Sequence, residues 1–102
     1  MIPSKVKIGG LVYDVLFESK LFDADNTRLY GQIDYNMLTI KLEKDYCRQK
    51  QEVTLWHEIV HGITVEYGVE LEESDIDRIA GGIYQVIKDN PDLVNEKLPF
   101  MD

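Results

Sequence analysis

The stretch from His57 to His61 constrains this chain more than any other feature. It reads His-Glu-x-x-His and holds the only two histidines among 102 residues. On an α-helix, side chains four residues apart lie on one face, with Cβ atoms roughly 6 Å apart. Two imidazoles at that spacing can bind one Zn²⁺, and Glu58 beside them has the position of a base that activates water. The spacing therefore predicts a helix and a zinc site in one segment.

The flanking sequence supports a long helix around this motif. It contains no proline, and side chains suited to packing recur at helical spacing on the side of the histidines. These are Val53, Trp56, Val60, Thr64 and Tyr67. We predict a helix that begins near Asp45, a suitable N-cap, and ends at Tyr67 before Gly68. The competing interpretation is that His57 and His61 are ordinary core or boundary residues.

A second helix is predicted downstream. Ser74 is a good N-cap, and the helix is expected to run to about Asp89 or Asn90, because Pro91 cannot continue it. Its apolar stripe consists of Ile76, Ile79, Ala80, Ile83, Val86 and Ile87. This helix can pack against the first one and supply a further side chain to the site.

A catalytic zinc site usually has three protein ligands, so the motif lacks one. The chain has no third histidine, and the third ligand must therefore be a carboxylate. Asp77 is the preferred candidate, because Ala80 and Gly81 on its helix face are small enough to let the helices approach closely. Glu73, one turn earlier, is the alternative. Asp77 could also serve only as an acid that interacts with the helix dipole.

The first part of the chain predicts short strands. Residues 5–17 alternate in polarity on both sides of Gly9-Gly10, a pattern typical of a β-hairpin. Residues 18–30 are polar with weak periodicity, which indicates a loop with one helical turn near Leu21-Phe22. The lone cysteine, Cys47, is expected to be a small, partly buried residue.

A second hairpin is expected to begin at Gly31, with its turn at Asn36 and its second strand over Met37–Leu42. Four short strands of this kind predict a mostly antiparallel sheet whose apolar face needs a cover. The expected fold class is α+β, in which the helix with the two histidines and the second, carboxylate-bearing helix cover the sheet. We expect residues 1–102 to form this single domain.

Composition limits the classes of function. The net charge of −8 argues against direct nucleic-acid binding, because phosphate contacts need clustered Lys and Arg. A single cysteine permits no internal disulfide and fits a reducing compartment. No apolar run approaches the ~20 residues of a membrane span, and no signal peptide is recognisable. The expected location is the cytoplasm.

The motif and its surroundings resemble the small phage-type metallopeptidase-like proteins of the ImmA/IrrE group, which have a zincin fold with a carboxylate third ligand. The resemblance covers most of the chain from Gly31 to Pro91, and His57, Glu58 and His61 match directly. The family pattern Glu-x-x-Ala-Asn on the second helix corresponds to the stretch Asp77-Arg78-Ile79-Ala80-Gly81, in which Asp77 replaces the Glu and Gly81 replaces the Asn. The resemblance implies a minimal zincin-like domain. The resemblance implies cleavage of protein targets such as phage repressors.

We therefore expect a zinc-dependent endopeptidase acting on a protein or peptide, with Glu58 as the base and His57, His61 and Asp77 as metal ligands. An extended substrate could pair with the strand Met37–Leu42 if that strand forms the sheet edge above the cleft. Candidates for stabilising the oxyanion are the hydroxyl groups of two tyrosines, Tyr67 and Tyr84. The alternatives are a non-catalytic zinc-binding module that recognises a protein partner, and an acidic protein that mimics nucleic acid.

Overall fold

A computed structural model describes residues 2–94, in which a four-stranded sheet packs against the first of two helices and the second helix packs on the first. The prediction that both helices cover the sheet is therefore wrong for the second one, which contacts no strand within these residues. The strands are β1 (Lys5–Ile8), β2 (Leu11–Glu18), β3 (Gly31–Asp34) and β4 (Thr39–Glu43), and they are followed by α1 (Arg48–Tyr67), α2 (Glu73–Asp89) and a 3₁₀ helix at Pro91–Val94. This confirms an α+β domain with a small sheet and two helices. Residue 1 and residues 95–102, which belong to the predicted single domain, lie outside the described residues.

The sheet is mixed, with the strand order β1-β2-β4-β3. Both predicted hairpins form, because β1 pairs with β2 and β3 pairs with β4 in antiparallel fashion. The central strands, β2 and β4, form a parallel pair, and β3 lies at the edge of the sheet on the other side of β4. The strand predicted over Met37–Leu42 forms as β4 over Thr39–Glu43 and pairs with strands on both sides. The condition that it lie at the sheet edge to pair with a substrate is therefore not met, and Ile40 and Leu42 are fully buried.

The loop between β2 and β3 is organised by a buried carboxylate of β4. Glu43 is fully buried, and its carboxylate accepts hydrogen bonds from the N–H groups of Lys20 and Leu21, both at 3.0 Å. The helical turn predicted at Leu21-Phe22 does not form, because Phe22 instead pairs with Arg28 in an isolated β-bridge. Glu43 thus fixes the segment that leads into β3.

The first helix begins later than predicted. Its N-cap is Cys47, which is exposed rather than partly buried. Asp45, the predicted cap, has its carboxylate 3.7 Å from the guanidinium of Arg28. The C-terminal end follows the prediction, since α1 ends at Tyr67 and Gly68 adopts the left-handed conformation with φ of 66°.

The second helix begins one residue before its predicted cap, Ser74. The N–H of Glu72 donates a hydrogen bond to Oδ2 of Asp75 at 3.3 Å, and this contact helps to set the first turn. Glu73 is consequently the first helical residue instead of part of the connection. The helix ends at Asp89, just before Pro91, as predicted.

Two hydrophobic clusters hold these elements together. The larger lies between the sheet and α1 and contains Ile8, Tyr13, Val15, Ile40, Leu42, Leu55 and Ile59. The smaller joins the helices through Val60, Ile76 and Ala80. The buried stripe of α2 is narrower than predicted, because Ile79 and Val86 are each 42% exposed. Neither described helix is long and apolar enough to cross a membrane.

Candidate metal centre

The two histidines of α1 converge with a carboxylate at the start of α2. Nε2 of His57 lies 2.7 Å from Oε1 of Glu73, and Nε2 of His61 lies 3.0 Å from Oε2 of the same residue. The two Nε2 atoms are 3.2 Å apart. Ligands at 2.0–2.2 Å from a tetrahedral Zn²⁺ would be separated by about 3.3 to 3.6 Å. His57, His61 and Glu73 could therefore hold a metal ion after only a small outward movement.

His57 has a carboxylate at each ring nitrogen, and this constrains its protons. Oδ1 of Asp77 lies 2.8 Å from Nδ1, opposite the contact of Nε2 with Glu73. A neutral imidazole has one N–H group and can donate to only one of these carboxylates. If Nδ1 donates to Asp77, Nε2 directs its lone pair toward Glu73 and His61, where a cation would interact favourably with all three residues. Metal-binding histidines commonly have this arrangement, with a carboxylate on the second nitrogen.

The structure brings Asp77, the predicted third ligand, to the site but onto the other nitrogen of His57. Glu73 and Asp77 are four residues apart and lie on one face of α2. Glu73 is longer by one methylene and reaches between the two Nε2 atoms. Ala80 is buried as expected, but a Cβ at Gly81 would contact nothing within 4 Å, so the predicted close approach at Gly81 is wrong.

Glu58 lies in the wall of the same cleft. Its side chain is only 6% exposed, and no hydrogen bond from the described residues reaches its carboxylate. Burial raises the pKa of Glu58 to about 7, while His57 lowers it and the charge of Glu73 raises it. The predicted base is therefore a buried carboxyl group that can exchange a proton near neutral pH.

Two glycines let the sheet edge pack closely against α1. A Cβ on Gly31 of β3 would lie 2.6 Å from Cγ2 of Thr54 and 3.4 Å from Oε2 of Glu58. A Cβ on Gly62, the residue after the motif, would lie 2.7 Å from Cδ1 of Ile8 and 3.2 Å from Cδ1 of Ile33. Both contacts let the sheet lie close to the helix that carries the histidines, and Gly31 and Thr54 of the first contact line the cleft.

The site opens into a cleft of about 580 Å³ between β3, α1 and α2. The residues that line it are Arg28, Leu29, Tyr30, Gly31, Gln32, Ile33, Tyr35, Lys50, Val53, Thr54, His57, Glu58, His61, Glu73 and Asp77. The sheet edge along this cleft is β3. The N–H of Glu43 donates to the carbonyl of Tyr30, so the antiparallel alternation directs the backbone groups of Gly31 and Ile33 away from β4.

The tyrosines predicted as oxyanion donors do not line the cleft. The hydroxyl of Tyr84 donates to Oε1 of Glu52 at 2.9 Å, and Tyr67 is 65% exposed. Tyr35 lines the cleft instead, and its pKa is raised by burial and by the negative charges of Glu58 and Glu73. The only sequence pattern that involves Tyr35 is the alternation of polar and apolar residues along its strand. That pattern predicts which face of the strand Tyr35 lies on, but it does not predict that this face borders the cleft.

The chain was compared with protein-family models, with curated proteins and with solved structures, and none of the three comparisons found a match. The resemblance to ImmA/IrrE proteins therefore stays a prediction based on the motif. Function has to be inferred from the geometry of the cleft.

Proposed function

We propose that the protein is a zinc-dependent metallopeptidase of the His-Glu-x-x-His type that hydrolyses a peptide bond in a protein or peptide. The observation that carries the proposal is the convergence of ligand atoms from His57, His61 and Glu73 in a cleft that also contains the buried Glu58. Imidazole and carboxylate donors in this combination suit Zn²⁺, and such sites keep a further position for water or substrate.

In this proposal the metal ligands are His57, His61 and Glu73. Asp77 would accept a hydrogen bond from Nδ1 of His57 and so orient the ring and fix its tautomer. When bound, zinc would lower the pKa of a water molecule toward ~7 and polarise the carbonyl group of the substrate. The proposal thus gives Glu73 the role that the sequence assigned first to Asp77.

Glu58 would move the proton that hydrolysis requires. Its carboxylate would take a proton from the attacking water as the water oxygen bonds to the carbonyl carbon. The same carboxyl group would give that proton to the amide nitrogen as the C–N bond breaks. Burial, which raises the pKa of Glu58 to about 7 in the metal-free site, supports this role, because a poorly solvated carboxylate accepts a proton more readily than an exposed one.

The substrate would lie in an extended conformation along β3. The outward backbone groups of Gly31 and Ile33 could form hydrogen bonds with it, as in strand addition to a sheet edge. Gly31 is close to Oε2 of Glu58, so a peptide held there would pass beside the proposed base. This edge takes the part that the sequence assigned to the strand over Met37–Leu42.

Tyr35 is the favoured donor to the oxyanion that develops on the substrate. Tyr35 lines the cleft, and its raised pKa keeps the phenol protonated at neutral pH. A positioned O–H group stabilises negative charge that forms during the reaction. Tyr35→Phe should therefore lower kcat while leaving zinc binding unchanged.

The test combines metal analysis with proteolysis. The purified protein should bind about one zinc ion per chain and cleave a protein partner, for which repressor-like proteins are the first candidates. Glu58→Gln should retain zinc and lose at least roughly a hundredfold in rate, because it removes the proton acceptor but no ligand. His57→Ala should lose the metal.

Two results would contradict the proposal in different ways. Failure to bind zinc under saturating conditions would exclude any zinc-dependent function. Stoichiometric zinc without cleavage that depends on Glu58 would favour the non-catalytic module that recognises a protein partner.

A further inference from the structure

The charged residues of the cleft are divided between its two ends. Glu73 and Asp77 lie at the end that carries the histidines. Arg28 and Lys50 line the other end, beside Tyr30. The chain as a whole has a net charge of −8, so this cationic end differs from most of the surface.

The two cations differ in how far they are neutralised. The guanidinium of Arg28 lies 3.5 Å from Glu43 and 3.7 Å from Asp45. Nζ of Lys50 lies 4.1 Å from the centroid of the Tyr30 ring, and within residues 2–94 no carboxylate is at ion-pair distance from it. The ring holds the ammonium group at the cleft without neutralising its charge.

Lys50 is spaced suitably for a substrate that passes the metal centre. It precedes His57 by seven residues, which is two turns along the same face of α1, or roughly 10 Å along the axis. An extended peptide advances about 3.3 Å per residue. The ammonium group is therefore about three substrate residues away from the bond at the metal centre.

The packing of β3 on α1 gives this substrate a direction. Gly31 lies against Thr54, and Ile33 lies against Gly62, so β3 and α1 run the same way. A peptide that pairs antiparallel with β3 runs in the opposite direction, from His61 toward Lys50. Antiparallel pairing is slightly more stable per residue than parallel pairing. Lys50 then faces the C-terminal side of the bond to be cleaved.

We propose that Lys50, held over Tyr30 at the cationic end of the cleft, selects substrates with a carboxylate about three residues to the C-terminal side of the cleaved bond. The carboxylate belongs either to an Asp or Glu side chain or to the free C-terminus of the substrate. This inference rests on the proposed peptidase function and adds a substrate class to it.

Cleavage-site profiling tests the proposal. A peptide library made by chymotryptic digestion of a cell proteome is incubated with the zinc-loaded protein, and the new termini are read by mass spectrometry. Wild type should show Asp and Glu enriched about threefold at the second to fourth residues after the cleaved bond, the size expected of a solvent-exposed ion pair. Lys50→Glu should lose this enrichment and favour Lys and Arg there instead.

Lys7→Glu is the matched control, because it makes the same change of charge at an exposed residue of β1 that does not line the cleft. It should keep the wild-type preference. A second library, amidated at its C-termini, separates the two sources of carboxylate. Sites near chain ends should disappear from it if the terminus is recognised, and internal acidic sites should persist if the side chain is recognised.

Cleavage without acidic enrichment, or with equal enrichment in Lys50→Glu, would overturn the inference and leave the peptidase proposal intact. If no peptide is cleaved, the peptidase proposal fails, and binding decides about Lys50. For that purpose the library is passed over immobilised Glu58→Gln protein. Retained peptides should be enriched in acidic residues, and the additional change Lys50→Glu should abolish the enrichment. Unchanged retention would overturn the inference.

Discussion

Two buried glutamates in this small domain have opposite environments. Glu43 at the end of β4 is fully buried, and its carboxylate accepts hydrogen bonds from two backbone N–H groups with Arg28 nearby. The hydrogen bond from Leu21 is the largest of the contributions that lower the pKa of Glu43. Glu58 on α1 is almost as buried, but burial raises its pKa to about 7.

The difference teaches that burial alone does not determine what a carboxylate does. Where backbone donors surround it, the charged form is favoured and the group stabilises a loop. Where no described donor reaches it, the charged form is disfavoured and the group is ready to exchange a proton. Glu43 therefore has the environment of a structural residue, and Glu58 has that of an acid–base residue in a cleft.

The largest expected effect on stability concerns Glu43, the glutamate with the structural environment. Glu43→Ala would leave the buried N–H group of Leu21 and the partly buried N–H group of Lys20 without their acceptor. We expect the largest fall in Tm of any single carboxylate substitution, measured by thermal unfolding. The control, Asp45→Ala, removes only the exposed partner of Arg28 and should leave Tm near the wild-type value. Equal Tm values for the two variants would contradict the structural role of Glu43.

In the metal-free protein, replacing Glu58 should stabilise the fold at high pH, whereas replacing Glu43 should destabilise it. The folded-state pKa of about 7 exceeds the ordinary 4.5, so the stability linked to the protonated form is fully present below pH 4.5 and is lost as the pH rises through 7. In EDTA, Glu58→Gln should therefore be more stable than wild type at pH 8, by up to about 3 kcal/mol, and similar to it at pH 4.

Urea unfolding at pH 4, 6 and 8 measures this difference. Glu43→Gln provides the contrast. The pKa of Glu43 is lowered from the ordinary 4.5, so the stability that its carboxylate contributes is present above pH 4.5 and is lost as the pH falls through the folded-state pKa. A stability difference between Glu58→Gln and wild type that stays constant across these pH values would refute the assigned environment of Glu58.

Two exposed carboxylates of α2, those of Glu73 and Asp77, can be compared in the same way for their effect on zinc affinity. Glu73→Gln removes a proposed ligand, whereas Asp77→Asn removes only the partner of Nδ1 of His57. We expect Asp77→Asn to weaken zinc affinity by about 10- to 100-fold and Glu73→Gln to weaken it more. Titration against a chromophoric chelator measures both, with Glu70→Gln as the control. A larger loss in Asp77→Asn would restore Asp77 as the third ligand.

The last comparison concerns two glycines, Gly31 in β3 and Gly81 in α2, and the smallest expected effect is that of Gly81. Gly31→Ala would press a methyl group against Thr54 and disturb the wall beside Glu58, at a cost of roughly 1 to 3 kcal/mol in the free energy of unfolding. Gly81→Ala meets open space within a helix and should stabilise the protein by up to about 1 kcal/mol. Urea unfolding distinguishes them, and destabilisation by Gly81→Ala would point to a close approach at that helix face after all.

Local patterns predicted much of the fold. The hairpin around Gly9-Gly10 forms as expected, since strand alternation and turn chemistry act over neighbouring residues. The end of α1 at Gly68 and the end of α2 before Pro91 also follow the prediction, because both depend on the backbone properties of single residues. These local patterns do not predict the order of the strands in the sheet, because the alternation of polar and apolar residues does not reveal which strand lies at an edge.

The start of α2 was missed for a related reason. Ser74 has the better intrinsic tendency to cap a helix, but a contact between Glu72 and Asp75 makes Glu72 the cap and places the first turn two residues earlier. That shift brings Glu73 into the helix, where it faces the histidines. Capping preferences differ by only about 1 kcal/mol, so the surroundings easily decide between neighbouring caps.

The sequence by itself determined the pairing of His57 and His61, because the geometry of one helix brings residues four apart together. It also put Glu58 beside them and, with no third histidine in the chain, pointed to a carboxylate as the third ligand of the predicted metal site. Only the tertiary structure decided that Glu73 joins the two Nε2 atoms while Asp77 meets Nδ1. The physical reason is that this choice depends on how two helices pack and how far each side chain reaches across the gap, to within about one methylene group.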